Sequence, residues 1–130
     1  MDGLAYLLLP FQQPSLLALV AIGVFAGIYI GAIPGLSGTM AVSLLVSFTF
    51  AWETNTAIAL MIGIFSGAVY GGSRSAILLN IPGAPAAVAT SFDGYPLAKK
   101  GLAGEAIGVA TVQSVLGGFI GVIALAFFAP

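Results

Sequence analysis

The residues able to do chemistry gather in three short stretches. The first is Pro34-Gly35-Leu36-Ser37-Gly38-Thr39. Proline has no N–H and clashes with the preceding turn, so a helix entering this stretch ends there. A helix restarting directly after it exposes unpaired N–H groups and the positive end of its dipole. Such an end suits a carboxylate, and the Ser37 and Thr39 hydroxyls add donors. The competing assignment is a cap in which both hydroxyls serve only the restarting helix. The second stretch runs from Tyr70-Gly71-Gly72-Ser73-Arg74-Ser75 to Asn80-Ile81-Pro82-Gly83. Arg74 is the only charge between Glu53 and Asp93. Its guanidinium can clamp an anion through paired N–H groups. Alternatively it forms a structural ion pair, or carries its charge along its stem to a polar interface. Asn80, just before the second break, can offer its amide to a solute or a cation, or cap the next helix. The third stretch is Asp93-Gly94-Tyr95-Pro96 with Lys99-Lys100, which reads first as an interfacial turn flanked by cations.

Several chemistries fall away at once. The chain has no Cys and no His, which removes disulfides, thiolate catalysis and conventional Ser-His or Cys-His pairs. No Walker A spacing occurs, so ATP-driven work by this chain has no support. A Ser-Lys dyad from Ser73 or Ser75 with Lys99 has the residue types, but nothing in the sequence positions it. Net charge is −1 and the only basic cluster is Lys99-Lys100, which gives nucleic-acid binding no footing. No catalytic residue and no metal ligand set is expected.

The elements that must position these residues are read from composition. Of 130 residues, 60% are hydrophobic and 5% charged, and mean hydropathy is +1.16. An ordinary soluble domain carries roughly a quarter charged residues. Residues 3–52, 54–73, 75–92 and 106–130 hold no charge at all. A spanning helix needs roughly 20 mostly apolar residues, so several fit, and a soluble fold of this composition would expose aggregating patches. The expected fold class is therefore an all-α membrane protein, a polytopic helix bundle with Pro-Gly-broken or re-entrant helices, with residues 1–130 belonging to one membrane domain and no soluble domain. Asp2 and the lack of Lys or Arg before Gln13 do not read as a secretory signal peptide.

Residues 1–14, with Tyr6 and Phe11, read as interfacial. Ser15 is an expected cap for a first helix from Leu16 to Ile33. After the break, Thr39 to Ala51 makes a helix too short to span without tilt or thinning. Trp52-Glu53-Thr54-Asn55-Thr56 is a polar turn, with Trp52 where indoles favour the interface. Ala57 to Tyr70 is the next helix, ending at Gly71-Gly72-Ser73. Ser75 to Ile81 and Ala86 to Phe92 are two short pieces around Pro82-Gly83-Ala84-Pro85, together a re-entrant or discontinuous segment. Asp93-Gly94-Tyr95-Pro96 then turns the chain, and Gly104 to Phe128 is a full span. The positive-inside rule places Lys99-Lys100 in the cytoplasm.

Glycines recur every four residues at Gly23, Gly27, Gly31 and Gly35, at Gly63, Gly67 and Gly71, at Gly104 and Gly108, and at Gly117 and Gly121. Small residues on one helix face let backbones approach closely, so most of these read as packing. Gly35, Gly38, Gly71, Gly72 and Gly83 are assigned instead to breaks, where backbone must turn or meet a ligand. Lipid offers no hydrogen bonds, so broken backbone at membrane depth survives only inside protein or along a polar cavity. Paired broken helices of this kind build solute sites in secondary transporters. The candidate substrate- or ion-binding residues are accordingly Pro34, Gly35, Ser37, Gly38, Thr39, Gly71, Gly72, Ser73, Arg74, Asn80, Pro82, Gly83 and Asp93. Asp93 joins ion coupling only if a cavity reaches it. Ser43 and Ser47, one turn apart, can line the same path or simply bond their own backbone.

In order and spacing, Gly27-x-x-x-Gly31-x-x-Pro34-Gly35-Leu36-Ser37-Gly38-Thr39, Tyr70-Gly71-Gly72-Ser73, Ala76-Ile77-Leu78-Leu79-Asn80-Ile81-Pro82-Gly83 and Asp93-Gly94-Tyr95-Pro96-Leu97-Ala98-Lys99-Lys100-Gly101 closely resemble the large membrane subunit of the bacterial tripartite tricarboxylate transporters. The resemblance runs from about Gly23 to Gly108. It implies a multi-pass protein of the bacterial inner membrane, of which this chain is an N-terminal portion. It also implies a small membrane subunit and a periplasmic solute-binding protein as partners, a tricarboxylate or related carboxylate as substrate, and Na⁺ or H⁺ as coupling ion with no other cofactor. Two other functions fit the residues: a helix-packing membrane scaffold or assembly subunit without transport, and a pore built by oligomerisation.

Overall fold

A computed structural model describes residues 13–128, and every regular element among them is helical. The expected interfacial stretch at 1–14 falls almost wholly outside the described residues. The order is α1 (Pro14–Ala32), α2 (Gly38–Thr49), α3 (Thr54–Leu79), a 3-10 turn (Pro85–Ala87), α4 (Val88–Lys99) and α5 (Ala103–Phe128). Three of these, α1, α3 and α5, are long and apolar enough to cross a membrane. At 1.5 Å per residue α3 and α5 are each about 39 Å long, whereas α2 and α4 reach only about 18 Å.

Ser15 is not the first cap. Gln13 holds that place without a side-chain bond, because Pro14 occupies the first helical position, where its fixed φ and missing N–H fit. The core of the bundle is the α1–α3 pair. A methyl group added at Gly23 would lie 2.7 Å from the Leu60 carbonyl, and one at Gly27 would lie 2.9 Å from the Ala68 nitrogen. From the other side, Gly63, Gly67 and Gly71 meet the backbone of Val20, Val24 and Ile28. Both stripes climb in the same direction, so α1 and α3 run parallel. Their backbones touch where side chains would otherwise hold them apart, and dispersion between them supplies the attraction that lipid cannot. The packing reading holds for Gly23, Gly27, Gly63 and Gly67, and Gly71, expected at a break, packs in the same way. It does not extend to Gly104, Gly108, Gly117 and Gly121, which face open space among the described residues.

Two expected breaks are not breaks. Gly71-Gly72-Ser73 lies inside α3, which runs on without interruption to Leu79. Each glycine costs a helix roughly 1 kcal/mol relative to alanine. Here the cost is offset by close packing, of Gly71 on α1 and of Gly72 on the non-helical stretch that carries Gly83. The helix ends instead at Asn80, whose φ of 57° puts it in the left-handed region that asparagine tolerates. Likewise Asp93-Gly94-Tyr95-Pro96 is not a turn but the middle of α4. Gly94 lets that helix close on Ile77, which is 1% exposed, and this contact outweighs the local turn preference. The real turn comes at Lys100-Gly101. Gly101 has φ 82°, and Leu102 N–H bonds Leu97 C=O at 3.0 Å while Gly101 N–H bonds Ala98 C=O at 3.0 Å, a Schellman motif.

The re-entrant expectation for the segment after α3 is met with shifted limits. From Asn80 the chain descends without helix alongside α3, and Gly83 N–H reaches Gly72 C=O at 3.4 Å. After the Pro85–Ala87 turn, α4 climbs back parallel to α3, with Ala86 and Ala87 beside Phe65 and Tyr70, and Gly94 beside Ile77. Helix α5 then descends, its side chains largely exposed; Phe119 and Ile120 are each 67% accessible. Such bare apolar surface belongs in lipid rather than water.

Candidate functional site at two helix restarts

Tertiary structure brings the two Ile-Pro-Gly breaks to one depth. At the first, Gly35 takes φ 92°, and Ser37 caps α2 by accepting from the Met40 N–H at 3.2 Å. Thr39 Oγ1 lies 2.8 Å from Ser37 Oγ, and Ser43 donates to the Thr39 carbonyl at 2.8 Å. These hydroxyls do serve the restarting helix, and Ser43 is bonded to its own backbone rather than free. Gly38, at the start of α2, sits against Ala68 and Phe65, midway along α3. At the second break, Gly83 lies against the Gly31 carbonyl, Gly72 and the Ser75 side chain. Gly31, Gly72 and Gly83 thus form a junction where α1, α3 and the descending limb meet. Helix α4 restarts at the level of Phe65 to Tyr70, and unlike α2 its N-cap, Ala87, offers no side-chain bond.

Both half-length helices therefore begin near the middle of α3 and run in opposite directions away from it. They lie on different faces of α3, for α2 touches neither α4 nor α5. Beside the α4 restart is a cavity of about 530 Å³ whose polar lining is Ser66, Tyr70, Ser73, Thr90 and Ser114. A second cavity, about 520 Å³, shares Ser73, Thr90 and Ser114 and adds Asp93, Glu105 and Gln113. That second cavity reaches Asp93, which is itself exposed. Of the other expected residues, Ser73 faces both cavities while donating to the Tyr70 carbonyl at 2.7 Å. Gly71 packs on α1, Pro82 stands in the descending limb, and Asn80 caps α3 at an exposed position away from the restarts.

Arg74 folds back along α3 towards mid-span, as helical side chains lean to the N-terminus. Its guanidinium carbon lies 3.7 Å from the centre of the Tyr70 ring, and Nη2 donates to the Tyr70 hydroxyl. Nη1 is buried without a hydrogen-bond partner. Arg74 is therefore not reaching for the interface beyond Leu79. Tyr70 also bonds Thr111 on α5, with 2.7 Å between their oxygens. Tyr70 and Thr111 were not among the candidates read from the sequence. The i, i+4 spacing of Tyr70 and Arg74 is a visible signal for the first, whereas nothing in an apolar span singles out Thr111. Ser66, Thr90 and Ser114 were missed for the same reason.

A relative from Agrobacterium vitis, described as an uncharacterized 52.8 kDa protein in the TAR-I ttuC' 3' region, is 36% identical over 133 residues, taking in 100% of this chain and 26% of that protein. The chain thus spans about a quarter of that relative's length. No solved structure matches it. The family model for the tripartite tricarboxylate transporter TctA family matches residues 17–130. On that match, and with the motifs and the helical membrane fold agreeing, the chain belongs to the tripartite tricarboxylate transporter TctA family.

Proposed function

We propose that this chain supplies part of the membrane pathway for a tricarboxylate or related carboxylate. In this reading the anion arrives on a periplasmic solute-binding protein, and a small membrane subunit assists at the bacterial inner membrane. Entry is coupled to a Na⁺ or H⁺ gradient. The observation that carries the proposal is the shared depth of the two restarts. Two half-helices begin midway along α3, on different faces of it, with their positive ends at that depth, an arrangement known from transporter solute sites. Arg74, turned to the same level, supplies the positive charge that a carboxylate needs there. The Ser66 and Thr90 hydroxyls, which line the cavity beside the α4 restart, are neutral donors at that level.

An arginine within a span is costly and tends to be kept for function. Uptake of labelled citrate by cells carrying the gene product with its partner proteins tests the reading. Arg74→Gln is expected to lower uptake at limiting citrate by about tenfold or more, the scale of one charge-assisted pair. Full uptake in cells lacking the protein would overturn the transport role. Unchanged uptake in Arg74→Gln would remove the arginine from it and leave helix packing as the work of this segment.

A further inference from the structure

The hydroxyl protons between Arg74 and α5 can be assigned in only one direction. Thr111 donates its hydroxyl proton to the Ile107 carbonyl at 2.8 Å. The 2.7 Å contact between Tyr70 and Thr111 must then be a donation from Tyr70, which leaves the Tyr70 oxygen free to accept from Arg74 Nη2. The result is a directed chain, Arg74 N–H to Tyr70 O–H to Thr111 O–H to Ile107 C=O, in which each bond polarises the next. Among the described residues, the Tyr70–Thr111 bond is the one side-chain hydrogen bond that joins two helices. The charged end of this chain is incomplete, because Arg74 Nη1 is buried without a partner. A guanidinium presents its donors as a fork, and a carboxylate has two oxygens matched to it.

We propose that Tyr70 and Thr111 are positioning residues that stow Arg74 and tie its state to α5. An arriving carboxylate takes both Arg74 nitrogens in place of the Tyr70 oxygen. The chain then loses its donor at one end, and the α3–α5 link that runs through Thr111 changes with it. The inference rests on the carboxylate reading above, and it adds which residues report occupancy and which helix responds. Tyr70 lines the cavity beside the α4 restart, so an anion entering there reaches the side chain that Arg74 lies over.

The test uses the intact gene product with its partner proteins and labelled citrate, with membrane levels checked by immunoblot. Thr111→Val and Tyr70→Phe keep shape and ring but break the chain. Each weakens an acceptor that competes with the carboxylate for Arg74 and is expected to lower the apparent KM by about tenfold, the lower end of the range for one hydrogen bond to a charged group. The double variant is expected to match either single one, since one chain is broken once. Thr111→Ser keeps the hydroxyl and is expected to restore wild-type KM. Equal shifts in Thr111→Ser and Thr111→Val would overturn the proposal in favour of simple packing, and so would a raised or unchanged KM in both Thr111→Val and Tyr70→Phe. A second readout does not depend on uptake. The chain has no cysteine, so Gly104→Cys at the exposed start of α5, which lines neither cavity, is a single reporter. Citrate is expected to change its rate of alkylation in the otherwise unaltered chain, and Thr111→Val to abolish that change. Citrate uptake with no citrate effect on this reporter would sink the tie to α5 and leave carboxylate transport standing. Loss of uptake and of every citrate response in the unaltered chain would instead sink the carboxylate reading.

Discussion

Gly27 and Gly108 look alike in the sequence, each four residues from another glycine in an apolar helix. Their surroundings separate them. A side chain at Gly27 would run into the backbone of Ile64 and Ala68, while Gly108 has nothing within 4 Å. Gly27→Leu should therefore force α1 off α3 and destabilise the protein by about 3 kcal/mol, the upper range for overpacking. Gly108→Leu should change stability by less than about 0.5 kcal/mol, as surface substitutions do. Thermal unfolding of the detergent-solubilised protein checks both, and equal losses would remove the distinction drawn between the two stripes. The same logic applies to Arg74. As a residue type it announced an anion site, an ion pair or an interfacial charge; its placement over Tyr70, folded back along α3, speaks against the interfacial charge.

Elements were legible where one local signal acted alone. Pro34 ends α1 and Ser37 starts α2, both within a residue or two of expectation, while α3 starts at Thr54, three residues before the expected Ala57. They were misread where a local signal met a tertiary contact. Gly71-Gly72-Ser73 and Asp93-Gly94-Tyr95-Pro96 carry strong breaking preferences, yet both lie within helices because α1, the Gly83 limb and Ile77 fill the space the glycines leave. The capping role of Ser37 can be isolated at this scale. Ser37→Ala should cost α2 about 1 kcal/mol, the usual worth of a Ser N-cap. It should show as faster hydrogen exchange at Met40 and Ala41 with little effect at α4. Equal exchange in the variant would mean that packing on Phe65 and Ala68, not the cap, secures that end.

For the whole molecule, the directions of α3 and α4 make a prediction about sidedness. Trp52 and Glu53 stand at the start of α3, whereas α4 climbs beside α3 and ends at Lys99, near the level of Leu79. The two ends must then face opposite sides of the membrane. With Lys99-Lys100 inside by charge bias, Glu53 faces out. In the Cys-free chain, Glu53→Cys should react with an impermeant maleimide added to intact cells, and Lys100→Cys only after the membrane is opened. Labelling of both from one side would refute the span assigned to α3, and with it the mid-depth location of the restarts.

Sequence alone settled what depends on composition and on nearest neighbours along the chain. It settled a lipid environment from the lack of charge, helices from unbroken apolar runs, interruptions at the two prolines, and the family from the order of motifs. It could not settle which residues meet. The convergence of Gly31, Gly72 and Gly83, the equal depth of two restarts 50 residues apart, and the chain from Arg74 through Tyr70 to Thr111 exist only once helices pack. The physical reason is that each depends on the register between helices. Register is chosen by summed backbone contact along glycine faces, and no residue carries that sum in its own identity.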